Sequence, residues 1–209
     1  MAAYDLEEQE QLAELKAWWK QHGNLVLGTV AAVLLLFAAW NGWRWYQRSQ
    51  ALEASALYEN LQQAARMSDG KAVRDAAGGI LEKYGGTAYA PLAALVSAKV
   101  NYQAGDLKTA RVQLQWAVDN ARQEEVRAIA RLRLATVRMD DNAYDEAMKM
   151  VEAKPAEGFD ALFASRRGDI LLAQKKRSEA RTAYKAAVEK TTDAAFRDTL
   201  RLKLDALGE

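Results

Sequence analysis

The side chains able to do chemistry are few. His22 is the only histidine in the 209 residues, and cysteine is absent. A Ser–His or Cys–His nucleophile therefore has no imidazole to build on anywhere beyond His22. Without cysteine there is also no disulfide framework, thiolate metal site or thiol nucleophile. The adjacent carboxylates Asp140 and Asp141 could act as an acid–base pair, but their setting, "MDDNAYDEA", reads as a turn before a helix. "GGILEKYGG" has paired glycines without the G-x-x-x-x-G-K-[ST] spacing that cradles phosphate. It is expected to be a kinked helix, a cap and a loop. Arg127, Arg131 and Arg138 fall within about 40° of one helix face and could meet an anion. Glu124 and Leu134 share that face, which favours a solvated edge. Met139, Met148 and Met150 are expected to pack rather than to bind a ligand. The residues point to no enzyme, no cofactor and no metal.

The elements that would position these side chains are helices. Alanine is abundant and there are only 2 prolines, Pro91 and Pro155. No alternating strand pattern is present. The 29 basic and 28 acidic side chains nearly cancel to a net +1, which gives no overall field for nucleic acid.

One stretch stands apart. Between Lys20 and Arg44, 23 residues pass without Asp, Glu, Lys or Arg, enough to cross ~30 Å of hydrocarbon as a helix. Trp18 and Trp19 precede the run, and Trp40, Trp43, Trp45 and Tyr46 close it, as an interfacial aromatic belt would. A core helix of this length would carry a polar edge, and Leu25 to Trp40 has only Thr29. A cleaved signal would begin with a short basic segment, whereas Asp5, Glu7, Glu8, Glu10 and Glu14 make this one acidic. A retained membrane span is expected over 23–46, between a short segment 1–22 and a repeat domain 47–209. Leu12, Leu15 and Trp19 suit a short helix on the membrane surface. Gly28, Ala32, Leu35, Ala39 and Gly42 form a mostly small-residue stripe on which a second membrane helix could pack. Lys16 and Lys20 on one side balance Arg44 and Arg48 on the other, so charge leaves the orientation open.

Beyond the span the helices repeat. No proline or glycine interrupts Trp43 to Met67, so the span is expected to continue as helix into the soluble region. Breaks follow at 68–71, 84–91, 105, 140–144, 153–158 and 174–178. Aligning Gly105 with Asn142 and Lys175 gives spacings of 37 and 33 residues, near the 34 of a tetratricopeptide unit. In that register Ala98, Ala135 and Gly168 coincide, as do Ala110, Ala147 and Ala180, and Leu114, Val151 and Tyr184. Small residues would stand where two helices of a hairpin touch, and larger ones would fill the gap. Asp106, Asn142 and Ser178 are expected as N-caps. Residues 51–84 form an earlier, degenerate pair with Gly78 and Gly79 interrupting its second helix, and 194–207 a closing helix. The fold class is all-α: one N-terminal transmembrane helix, then a tetratricopeptide-like solenoid.

In such a solenoid the first helices of successive pairs line the concave face. The expected partner-binding residues are Leu95, Lys99 and Tyr102, then Leu132, Thr136 and Met139, then Ser165, Asp169 and Leu172. Each trio has the spacing i, i+4, i+7 on one helix face. Tyr102 and Met139 are the expected anchors.

The order of features, with "WNGWRWYQR" at the span exit and "YAPLAALVSAKVNYQAGDLKTARVQLQWAV", "LRLATVRMDDNAYDEAMKMV" and "GFDALFASRRGDILLAQKKRSEARTAYKAAV" beyond it, resembles the YfgM family, the ancillary subunit of the bacterial SecYEG translocon. The resemblance implies a single-pass inner-membrane protein with a cytoplasmic N-terminus and a periplasmic repeat domain. It implies SecYEG and a PpiD-like membrane-anchored chaperone as partners, exported chains as possible clients, and a modulating role in the Rcs envelope stress response. The alternative on the residues is a tetratricopeptide adaptor of another envelope complex, in cell division or outer-membrane assembly.

Overall fold

The computed structural model describes residues 2–208, with the side chains of 2–7 and 9 left aside. The side chains of Asp5 and Glu7 in the acidic N-terminal segment therefore lie outside the described residues. The chain divides into two compact units, Met1–Ser49 and Gln50–Glu209.

The first unit is the leading part of helix α1 (Ala2–Arg66). Its apolar run is long enough to cross a membrane. Leu36 is 72% exposed and Phe37 65% exposed, and Leu34 and Leu35 are similarly bare. A helix of a soluble core would bury such side chains, so lipid is the medium that suits them. Two polar side chains within the run turn back on their own helix. Thr29 Oγ1 donates to the Leu25 carbonyl at 2.9 Å, and Asn41 Nδ2 to that of Phe37 at 3.0 Å. Neither is left unsatisfied in hydrocarbon. At one end of the run His22 stacks on Trp18 with ring centroids 5.2 Å apart. Gly28 and Gly42 of the small-residue stripe have open space where a Cβ would stand.

The second unit opens with the end of α1. It continues through α2 (Gly70–Tyr84), α3 (Tyr89–Gln103), α4 (Leu107–Asn120), α5 (Glu124–Asp140), α6 (Tyr144–Glu152), α7 (Asp160–Ala173), α8 (Arg177–Lys190) and α9 (Ala194–Asp205). These make four helical hairpins and a closing helix. Each hairpin turns through one residue with positive φ: Ser68 (57°), Gly105 (80°), Asn142 (58°) and Lys175 (63°). At every turn the next residue's N–H reaches back to close the preceding helix. Asp69 donates to Ala64 O at 3.0 Å, Asp106 to Asn101 O at 2.9 Å, Ala143 to Arg138 O at 2.8 Å and Lys176 to Leu171 O at 2.9 Å. This is the Schellman closure, which needs a left-handed residue and favours glycine or asparagine there. The alignment of Gly105, Asn142 and Lys175 is thus a register of turns, and Ser68 is its first member.

The turns correct two expected caps. Asp106 does cap α4, accepting from Thr109 N at 3.0 Å. Asn142 is instead the left-handed residue itself, and its Oδ1 accepts the Tyr144 hydroxyl at 2.7 Å. Ser178 lies inside α8, two positions past the cap slot held by Lys176. Asp69 is a cap that was not expected, accepting from Lys71 N and Ala72 N. Gly78 and Gly79 do not interrupt α2, which runs through them between the buried Ala77 and Ile80. Packing of that face outweighs a helix penalty of about 1 kcal/mol per glycine.

The core is a chain of four apolar clusters, each joining one hairpin to the next helix. Leu61, Val73, Ile80 and Ala93 form the first, and Ala98, Leu114, Ala117 and Leu134 the second. Ala135, Val151, Phe163 and Ile170 form the third, and Ala180, Tyr184, Ala187 and Leu200 the fourth. This is nearest-neighbour packing of a solenoid. Within each hairpin a small residue opposes a larger one: Ala98 with Leu114, Ala135 with Val151, Gly168 with Tyr184. In the first hairpin the sizes are exchanged, and Leu61 shares its cluster with Ala77. Gly168 is the extreme case, since a Cβ there would stand 2.5 Å from Tyr184 Cε1.

Candidate partner-binding face

Two neighbouring cavities of about 350 and 360 Å³ open on the repeat unit and share Lys99, Gln103 and Arg133 in their walls. The first adds Ala98, Tyr102, Leu114, Thr136 and Val137 from α3, α4 and α5. The second adds Gln62, Ala65 and Arg66 from the end of α1, with Val96 and Val100. Together they make one groove, apolar in its floor and basic along its sides. Each cavity lies at the lower end of the range for ligand pockets, ~300–1,000 Å³.

The turn register explains which residues reach this groove. Counting back from the left-handed residue, Gln62, Lys99, Thr136 and Asp169 all stand six places before it, and Val96, Arg133 and Arg166 nine places before it. Leu95, Leu132 and Ser165 stand ten places before. That column points into the core. Leu95 and Ser165 are each only 5% exposed, and Leu132 is half-buried against the cluster of α5, α6 and α7. Leu95 and Ser165 are therefore corrected from groove residues to packing residues. Their helices turn by 100° per residue, so the neighbouring column, not theirs, faces outward.

Of the other expected residues, Lys99, Tyr102 and Thr136 line the first cavity. Thr136 Oγ1 bonds its own helix at the Leu132 carbonyl, 3.1 Å away, and presents its methyl edge. Tyr102 donates its hydroxyl to Asp140 Oδ2 at 2.7 Å, and that bond to a carboxylate raises the phenol above its ordinary pKa. Met139 packs half-buried against the third cluster, so it serves the core as well as any surface. Leu172 is exposed at the end of α7 and lies apart from both cavities. Asp169 is committed within the chain. It accepts from Tyr184 Oη at 2.8 Å and from Lys203 Nζ at 2.6 Å, and pairs with Arg166 at 3.3 Å. Burial first, and then the bond to Asp169, pushes the Tyr184 hydroxyl well above its usual pKa. This set ties α7, α8 and α9 together.

Sequence reasoning missed Arg66, Gln103 and Arg133. Arg133 lies in the wall that both cavities share, donating from Nη1 to the Leu95 carbonyl at 3.3 Å. Extending the turn register to Ser68 and moving one place along each helix would have found all three. Two arginines of the other stripe are occupied structurally. Arg127 pairs with Glu124 at 2.6 Å, and Arg138 with Glu146 at 3.1 Å and Gln115 at 3.3 Å.

A family model described as "Tetratricopeptide repeat-like domain" matches residues 16–209. Several curated proteins align along almost the whole chain. One from Neisseria gonorrhoeae (strain ATCC 700825 / FA 1090) is 29% identical over 99% of this chain and 100% of its own length. One from Haemophilus influenzae (strain ATCC 51907 / DSM 11121 / KW20 / Rd) is 29% identical over 88% of this chain and 90% of its own. One from Escherichia coli (strain K12) is 28% identical over 96% of this chain and 97% of its own. Each of the three is named "Ancillary SecYEG translocon subunit".

Proposed function

The chain belongs to the tetratricopeptide repeat-like domain family, and from that premise we propose that it is a non-enzymatic, membrane-anchored scaffold associated with the SecYEG translocon. The observation that carries this reading is the alignment over nearly full length, span and repeats together, with relatives of that name. A match to the repeats alone would support only a generic adaptor. The α1 apolar run supplies the anchor, and the groove between α1, α3 and α5 supplies a surface for a partner chain. The N-terminus lies in the cytoplasm and the repeat unit in the periplasm. The unit links export to a PpiD-like chaperone, meets emerging client chains, and through this position bears on the Rcs stress response.

The test is purification of the tagged full chain in mild detergent. SecY and a PpiD-like chaperone are expected to accompany it. Recovery of a division or outer-membrane assembly complex, with no SecY, would replace this reading with that of an adaptor elsewhere in the envelope.

A further inference from the structure

The groove has a charge pattern that the scaffold reading does not itself require. Three cations meet in its walls: Arg66 from α1, Lys99 from α3 and Arg133 from α5. None of the three takes part in the ion pairs observed among the described residues, which lie elsewhere: Arg111–Asp141, Arg127–Glu124, Arg138–Glu146, Arg166–Asp169, Lys190–Asp160, Arg201–Asp198 and Lys203–Asp169. Arg133 spends one N–H on the Leu95 carbonyl and keeps the rest of its fork. No carboxylate lines either cavity. Asp140, which lines neither cavity, is engaged by the hydroxyl of the lining residue Tyr102. Like charges gathered in a cleft with low-dielectric walls repel one another and focus a positive potential into it. An anionic occupant relieves that repulsion. Val96, Val100 and Val137 place apolar surface among the cations, beside the amides of Gln62 and Gln103, a mixture that suits the side chains of a peptide.

We propose that this groove receives an acidic segment of a partner polypeptide, its carboxylates held by Arg66, Lys99 and Arg133 and its interspersed apolar side chains filling the two cavities. This rests on the scaffold reading for its biological sense, but its chemistry is separately testable.

The probe is a fluorescein-labelled peptide, Glu-Glu-Leu-Glu-Glu-Leu-Glu, titrated with the full chain in dodecyl maltoside micelles and followed by anisotropy. The same peptide with glutamine for glutamate is the comparison. The acidic peptide is expected to bind at least about tenfold more tightly, a difference that shrinks as salt rises from about 0.1 M to about 1 M and the screening length falls from ~10 to ~3 Å. Lys99→Glu with Arg133→Glu is expected to weaken it at least about tenfold, and Arg122→Glu, outside the groove, to leave it unchanged. Should the reversals unfold the unit, Lys99→Gln with Arg66→Gln at exposed positions must still weaken binding. Equal binding of the two peptides overturns the proposal, as does indifference to both double variants. So does groove-dependent binding of dihexanoylphosphatidylglycerol without the peptide, which would make the cations headgroup ligands. Co-purification of SecY is scored on the same wild-type preparations. SecY without peptide binding leaves the scaffold reading and removes the acidic segment, and peptide binding without SecY does the reverse.

Discussion

Replacing Gly168 with alanine adds a single methyl where α7 and α8 approach most closely. The new Cβ would stand 2.5 Å from Tyr184 Cε1 and 2.6 Å from Cδ1, well inside contact distance. The ring has little room to withdraw. It is buried, its hydroxyl is bonded to Asp169 at 2.8 Å, and Lys203 Nζ lies 5.3 Å from its centroid. Overpacking costs about 1–3 kcal/mol, and an approach this close belongs to the upper part of that range, about 2–3 kcal/mol, against which alanine returns about 1 kcal/mol of helix propensity. A net loss of about 1–2 kcal/mol in a unit of this size lowers Tm by about 2–8 °C. The neighbouring hairpins place alanine opposite Leu114 and Val151 at the same register, so a smaller residue at 184 should make the methyl welcome. In a Tyr184→Leu background, Gly168→Ala is expected to raise stability by up to about 1 kcal/mol. The sign reversal gives a coupling of about 2–3 kcal/mol, at the top of the range for contacting residues. Thermal unfolding of the full chain in detergent, followed by circular dichroism, measures all four corners. Gly168→Ala melting as high as the parent, or shifting Tm equally in both backgrounds, would refute the close approach.

Three further outcomes follow from the same register and from the span. Lys175→Gly should stabilise the unit by about 0.5–1 kcal/mol, because relief of a left-handed lysine exceeds the added unfolded-state entropy, while Gly105→Ala should destabilise it; chemical denaturation of both variants checks the opposite signs. The Asp106 carboxylate is held below its usual pKa by its bonds to Thr109, side chain first and then backbone N–H. Its folded pKa is lowered, so its stabilisation is present above the unfolded value near 4 and is lost as pH falls through the folded value. Asp106→Ala should therefore lower Tm at neutral pH, and by progressively less as pH falls through the folded value. With no native cysteine, Gln11→Cys and Ala206→Cys are clean reporters of topology. An impermeant thiol reagent added to cells with a permeabilised outer membrane should label only the second, and labelling of Gln11→Cys alone would invert the orientation.

The parts of this fold legible in the sequence are those with a single physical cause. A long uncharged run has few places to go but lipid, and its exposed Leu34 to Phe37 accord with that. The alignment of Gly105, Asn142 and Lys175 is legible because every hairpin needs a left-handed turn at a fixed distance from its packed small residue. What escapes is what depends on one position of phase. Asn142 suits a cap and a left-handed turn equally, and only the chain path decides between them. The first column of the chosen trios lies one residue from the outward face, so Leu95 and Ser165 are packing residues and Arg133 went unseen. Asp169 looks like a surface acid until Tyr184 and Lys203 arrive from α8 and α9, beyond the reach of local spacing.

The central claim is that the groove of a membrane-anchored repeat unit is where the export machinery is met. Photo-crosslinking in living cells tests it most directly, with benzoylphenylalanine at Tyr102 in the groove and at Val112, which is 61% exposed and lines neither cavity. The account predicts that the first position forms an adduct with SecY or with a protein that co-purifies with it, and that the second does not. Adducts from Val112 alone, or from Tyr102 only to proteins that never accompany SecY, would contradict it.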